Sequence, residues 1–272
     1  MQTIIKSQQT VIFLHIPKTA GSTLFSLARR QYKADAIFHV MSRDYSDFTE
    51  LQEDRRNNFE LVGGHMCFGV HEHIPGPSAY FTILRHPLER VLSYYYYLRD
   101  YYSRHQLDDE QYLLELQKDL AEFVATSEIL EVDNGQTRRL VGTDGYKVGF
   151  GQCSQEMLEK AKKNILESFG VVGITERFYE TILLLGETFA WKNKLFINKN
   201  VTRNKPERHT VDQKAIDLIR KYNEFDIELY SFAKNLLQEQ IDQAGRAFEM
   251  KVQVYRTITG ALNSIFSFTQ SK

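Results

Sequence analysis

Cysteine is scarce in this 272-residue chain, with only Cys67 and Cys153, and so are proline, with five residues, and tryptophan, with one. Two cysteines do not make a disulfide scaffold, and they fit a reducing compartment. The chain has no internal repeat and no low-complexity tract, which excludes a repeat array or a Pro-rich linker. An excess of charge is also missing. The 34 Lys and Arg against 35 Asp and Glu leave a net charge of −1, so nothing draws the whole molecule to nucleic acid or an anionic membrane. Any anion must therefore be bound locally. No run approaches the roughly 20 apolar residues of a membrane span. The opening MQTIIKSQQT is too short and polar for a signal peptide. An intracellular soluble protein is the expectation.

What is present is an alternation of strand and helix patterns. Continuous apolar runs at 11–16, 36–40, 61–64, 79–84 and 170–174 read as strands, those at 11–16 and 79–84 as buried on both faces. A possible short strand lies at 195–198. Helical patterns cover 22–31, 47–56, 87–103, 109–127, 154–168 and 177–191, with an irregular Gly-rich stretch at 133–152. Thr210 and Gln213 look like a capping box that opens a further helix. From 226 to about 264 the chain is nearly all helix, with Gly260 as a possible interruption. This order predicts an α/β fold: three α/β/α layers around a mainly parallel sheet, with a helical C-terminal tail. The domain is placed at 1–232. The extension at 233–272 packs on it or on a partner, and a homo-oligomer through these helices is possible.

Two strand–turn–helix units in the first hundred residues carry the chemistry. The first, VIFLHIPKTAGS at 11–22, turns through Lys18, Thr19, Ala20, Gly21, Ser22 and Thr23. Its backbone N–H groups lie at the positive end of a helix, where anions bind. It is not a Walker A loop, which places its lysine after the second glycine. An ordinary βα turn with a surface lysine would look similar. In the second, RHPLERVLSYYYYL at 85–98, Arg85 ends a strand and offers a planar fork suited to phosphate oxygens. Pro87 suits a first helical position, and Ser93 lies two turns on, on a face that could look back at Arg85. Ligands of such sheets bind at the carboxyl ends of the strands, where Lys18, His65 and Arg85 all fall.

HIPKTAGSTL at 15–24 together with RHPLERVLSYYYYL resembles the sulfotransferases that use 3′-phosphoadenosine 5′-phosphosulfate (PAPS), in particular the heparan sulfate 2-O- and 6-O-type carbohydrate enzymes. DNGQTRRLVG at 133–142 and VGITERF at 172–178 add to the likeness, which covers about residues 10–232. The resemblance implies a P-loop NTPase-like domain that transfers a sulfuryl group from PAPS to a hydroxyl. It implies that Lys18 to Thr23 hold the 5′-phosphosulfate and that Arg85 and Ser93 grip the 3′-phosphate. It also implies that NVTRNKP at 200–206, with Arg203, closes over the adenosine end. His65, in Gly63-Gly64-His65, matches the base that deprotonates the acceptor, although Gly63 stands where the 2-O enzymes carry another histidine. The implied catalytic residues are thus His65 and Lys18. The implied acceptor is a glycan or glycosylated metabolite, with neither metal nor nucleic acid involved. Animal relatives of this kind are anchored in the Golgi. Without an anchor in view, a bacterial-type cytoplasmic enzyme is the expectation, and a Golgi catalytic domain the alternative.

Other readings stand beside this one. The loop could belong to a P-loop kinase or NTPase, or the scaffold could bind a nucleotide or glycan without catalysis. His65, Cys67, His71 and His73 lie close enough in sequence to suggest zinc, but without a second ligand cluster the pattern is weak. Tyr94, Tyr97 and Tyr101 share one helix face, expected in a core or interface. Glu128, Glu131 and Asp133 are expected to be solvated. Lys192, Lys194, Lys199, Arg203, Lys205 and Arg208 form a basic region suited to an anionic ligand.

Overall fold

The computed structural model describes residues 9–105, 114, 117–192, 194–196 and 211–270. Five parallel strands, β1 (Thr10–Leu14), β2 (Ile37–Val40), β3 (Leu61–Gly64), β4 (Ser78–Leu84) and β5 (Phe169–Ile174), form one sheet in the order β2-β3-β1-β4-β5. Every residue of β3, and all but the first of β1 and β4, is buried. Alternate residues point to opposite faces, so both faces of the sheet are covered and the fold is the expected α/β sandwich. The register Phe13↔Gly63 and Phe13↔Phe81 sets the ends of β3, β1 and β4 side by side. Their outgoing loops therefore share one edge.

The longer helices among the described residues are α1 (Gly21–Arg29), α2 (Pro87–His105), α3 (Leu120–Thr126), α4 (Gly135–Val141), α5 (Gln155–Ser168), α6 (Phe178–Thr188), α7 (Gln213–Tyr222) and α8 (Glu224–Gln270). Leu88, Val91, Leu92 and Tyr95 of α2 pack with Phe123 of α3 and Ile219 of α7 in a second core beside the sheet. Helix α8 packs on β5, α5 and α6. It kinks at Gly245, which adopts φ 73°, whereas Gly260 is helical. The expected extension at 233–272 begins inside this helix.

Several elements differ from expectation. The polar stretch 47–56 makes two single turns, Ser46–Thr49 and Glu53–Arg56, not one helix. The irregular stretch at 133–152 contains α4, every residue of which is buried. Residues 195 and 196 are not in a strand. Helix α7 is capped by Asp212, whose side chain accepts from the Lys214 N–H. Thr210 lies outside the described residues.

Candidate active site

The loop between β1 and α1 turns through left-handed conformations at two residues with side chains, Lys18 (φ 68°) and Ala20 (φ 62°). Such backbone is costly outside glycine and marks an imposed shape. The Thr19 hydroxyl, fully buried, donates to the Ile16 carbonyl at 2.8 Å and fastens the turn from inside. Thr19 is therefore a brace whose hydroxyl faces inward. Helix α1 opens at Ala20 with no side-chain cap, so no capping side chain covers its first-turn N–H groups. Gly21 is buried against His15; a Cβ there would sit 2.0 Å from His15 Cδ2. Ser22 is exposed and Thr23 half-buried at the same helix start.

The second loop meets the first. Arg85 Nη1 donates to the Lys18 carbonyl at 3.1 Å, and its Nη2 lies 3.9 Å from Glu89. The Gln136 side chain brackets the Arg85 backbone, accepting from its N–H and donating to its carbonyl, both at 3.0 Å. Glu89, Ser93 and Tyr97 follow one another at single-turn spacing on α2. Glu89 reaches Arg85, and the Tyr97 ring carries Lys18 Nζ 3.9 Å from its centroid. Ser93 lies between them on that face and is itself buried. Burial, then the nearby Arg85, lowers the Lys18 pKa to about 8, with Asp100 opposing.

At the end of β3, His65 Nδ1 lies 3.0 Å from the His15 carbonyl. A carbonyl only accepts, so Nδ1 carries the proton and Nε2 is left as the basic nitrogen. The ring stacks on His15 at 4.0 Å between centroids and keeps an exposed surface. Burial of the rest of the ring and the charge of Arg139 hold its pKa below the ordinary value. His15 is held lower still by its own burial and by His65. Both rings are neutral near pH 7.

Beneath this edge lies a buried ionic cluster that takes in Glu131 and Asp133, which were expected to be solvated; Glu128 is exposed, as expected. Arg139 Nη1 donates to the His65 carbonyl at 2.6 Å, and its Nη2 pairs with Glu131 at 2.6 Å. Tyr146 donates to the same carboxylate at 2.8 Å. Arg90, fully buried, faces both Glu131 and Asp226 at 3.6 Å. Asp133 pairs with Arg138 at 2.5 Å. Burial alone would raise the Glu131 pKa, but Arg139 and Arg90 outweigh it and hold the carboxyl low. The carboxylates' place near a helix end concealed their role; the adjacent pair Arg138 and Arg139, a few residues on, was the available signal.

The tyrosine run is divided: Tyr95 is buried in the second core, while Tyr97 and Tyr101 are exposed. Of the suggested zinc group, His71 bonds Tyr80, His73 packs on Tyr45 and Cys67 is buried with its thiol pushed up to about 11. Among the described residues no cluster has the make-up to hold a metal. Arg203, Lys199, Lys205 and Arg208 lie outside the described residues. Lys194 donates to the Trp191 carbonyl at 2.8 Å.

The galactose-3-O-sulfotransferase family model matches residues 4–266. The chain belongs to that family. It is similar to human heparan-sulfate 6-O-sulfotransferase 1, with 27% identity over 92% of this chain and 70% of the relative. It is also similar to heparan sulfate 2-O-sulfotransferases, with 26% identity for the Caenorhabditis elegans protein (88% and 81% of the two chains) and 23% for that of Gallus gallus (85% and 78%). The chain is a sulfotransferase, which displaces the kinase and the non-catalytic readings. The expected bacterial-type cytoplasmic location is overturned, because these relatives are animal heparan sulfate enzymes. Composition constrains redox setting and overall charge but carries no address, and that expectation leaned on a missing anchor. No helix among the described residues is long and apolar enough to cross a membrane.

Proposed function

We propose that this sulfotransferase uses PAPS as donor and a carbohydrate hydroxyl as acceptor, with His65 as general base. The observation that carries the reading is the bond from Arg85 to the Lys18 carbonyl, which joins the two phosphate loops, with His65 one strand away on the same edge. The residues suit a donor with two phosphate-bearing ends. The uncapped start of α1, with Ser22, Thr23 and Lys18, accepts the 5′ end; Arg85, on the Ser93 face of α2, accepts the 3′-phosphate. PAPS supplies the activated sulfuryl group. His65 Nε2 takes the acceptor's proton, its tautomer fixed by the His15 carbonyl. Lys18, protonated, neutralises charge growing on the bridging oxygen, in the manner of positioning and charge stabilisation in phosphoryl transfer. The names of the relatives, which refer to heparan sulfate, support a sugar acceptor.

His65→Ala is expected to keep binding 3′-phosphoadenosine 5′-phosphate in a thermal-shift titration while losing sulfate transfer by a factor of about 10²–10⁴. Full transfer in that variant would remove His65 as the base. Stabilisation by ATP–Mg²⁺ but not by the 3′,5′-bisphosphate would remove PAPS as donor.

A further inference from the structure

Beyond its kink at Gly245, α8 has an inner face that the domain covers and an outer apolar stripe that it does not. Phe248, Val252, Tyr255 and Thr259 are buried, at the spacing of one helix face. Polar contacts fasten that side: Lys251 pairs with Glu187 of α6 at 2.9 Å, and Asn263 Nδ2 donates to the Phe196 carbonyl at 3.1 Å. Roughly 120° round the helix, Met250, Val254, Ile258, Leu262 and Ile265 form a second stripe, about 22 Å long. Each of these five is between 39% and 64% exposed, and Ala261 between them is exposed too. Single exposed apolar residues are ordinary. Five in line on a docked helix present on the order of a few hundred Å², a size that marks an interaction site.

Charge and side-chain size select what covers it. From Thr257 to Gln270 the chain has no charged residue. A helix lying on a membrane surface carries lysine or arginine along its polar face. Here the cations Arg246, Lys251 and Arg256 all lie at the other end, and Lys251 and Arg256 are paired with Glu187 and Glu180 of α6. A second copy of the same stripe fits better. In a two-fold antiparallel pairing, each uncharged half lies against the charged half of the other copy, so no like charges meet. A parallel pairing would set Lys251, which borders the stripe, beside the same residue of the other copy. With the two-fold axis level with 259–260, Val254 faces Ile265 and Ile258 faces Ala261 of the second copy. The bulky residue at the centre thus meets the smallest one in the stripe, as interlocking helices require.

We propose that the outer face of α8 is a homodimer interface, covered by the same face of a second copy of this chain. The inner contacts already order the helix, so pairing has little backbone left to immobilise. Two such stripes with their rims bury about 1,000 Å², the low end for a specific interface. The dimer is therefore reversible, with a dissociation constant on the order of micromolar.

Sedimentation velocity of the full chain, from about 1 to about 200 μM, reads the pairing. The weight-average mass of the parent is expected to rise from monomer towards dimer across that range. Ile258→Glu is expected to raise the dissociation constant about a hundredfold, and Gln253→Glu, exposed on the polar side of the same helix, to leave it unchanged. Ala261→Phe separates a matched second copy from any apolar cover. It should weaken self-pairing about tenfold by filling the place of Ile258, whereas a lipid surface would hold the larger side chain more tightly. All three positions are exposed, so the variants should melt within about 2 °C of the parent. A parent that stays monomeric throughout would overturn the proposal; its flotation with phosphatidylcholine–phosphatidylserine vesicles would then assign the face to a membrane. A dimer that Ile258→Glu does not weaken, or that Ala261→Phe tightens, would overturn it as well.

Discussion

Replacing Glu131 by glutamine tests whether the buried cluster under His65 holds this proposed base in place. Glu131 is 5% exposed and its partners Arg90 and Arg139 are 0% and 4% exposed. The substitution preserves shape but removes the charge facing both guanidiniums. Arg90 Nη1 and Glu131 Oε2 face each other at 3.6 Å with no hydrogen bond to any other group, so that nitrogen depends on the carboxylate's charge alone. Breaking one partner of a buried pair costs about 3–5 kcal/mol. At about 2–4 °C per kcal/mol for a domain near this size, the melting temperature should fall by roughly 6–20 °C. Differential scanning calorimetry at pH 7.5 reads that loss. The same residue predicts acid sensitivity. Its folded pKa is depressed, so its contribution is complete above the unfolded carboxyl pKa of about 4.3 and disappears as pH falls through the lower folded value. The gap between parent and variant should therefore close in acid. Arg139 also grips the His65 carbonyl, so kcat, measured well below the melting temperature, should drop about tenfold or more through misplacement of the base. A melting point within about 2 °C of the parent would refute the energetic argument. A large melting shift with unchanged kcat would show that the cluster supports the fold without positioning His65.

Two further outcomes follow from the loop. The pH profile of kcat/KM should be bell-shaped. Its acid limb lies below 6.5, as the depressed His65 gains a proton, and its basic limb near pH 8, as Lys18 loses one; Lys18→Arg should remove the basic limb along with most of the rate, and an unmoved limb would clear Lys18. Gly21→Ala should drive a methyl into the His15 ring, costing about 1–3 kcal/mol in thermal unfolding and weakening titrated bisphosphate binding; unchanged binding would show that the loop tolerates a moved His15.

The strands were legible because their apolar runs end in turn residues, as at Leu14 and Leu84, and the observed ends differ from the expected ones by a residue or two. Helix α4 was not, because DNGQTRRLVG lacks an apolar stripe. Its polar residues are inside, where Arg138 pairs with Asp133 and donates to the Gly145 carbonyl, and Arg139 pairs with Glu131 and donates to the His65 carbonyl, 74 residues away in sequence. No periodicity encodes such a helix. Within the candidate site, the placement of Lys18, His65 and Arg85 after strand ends could be read from the sequence, but the contacts of Thr19 and Tyr97 could not. Thr19 looked like one more donor until its hydroxyl was found directed to Ile16. Tyr97 belonged to a run of four tyrosines that only the rotation of α2 could sort. His15, three residues before Lys18, acts on His65 through its backbone carbonyl, and a carbonyl acceptor leaves no trace in residue type.

The net charge of −1 is compatible with an anion site because the charges are sorted by depth. Arg90, Arg138 and Arg139 are matched within the protein by Glu131, Asp133 and Asp226, and add little to the field at the surface. Lys18 is different: among the described residues it makes no ion pair, and its charge rests on the Tyr97 ring. Arg85 pairs only loosely, with Glu89 at 3.9 Å, each side chain about a quarter exposed. Such a pair contributes about 0–1 kcal/mol, whereas a phosphate offers a guanidinium a bidentate, charge-assisted partner. Exchange of Glu89 for phosphate is thus favourable at small cost. The depressed Lys18 pKa has the same origin, a cation desolvated without a counter-ion. An arriving phosphate would supply one, raising that pKa and fixing the proton on Lys18, as its proposed role at the leaving oxygen requires.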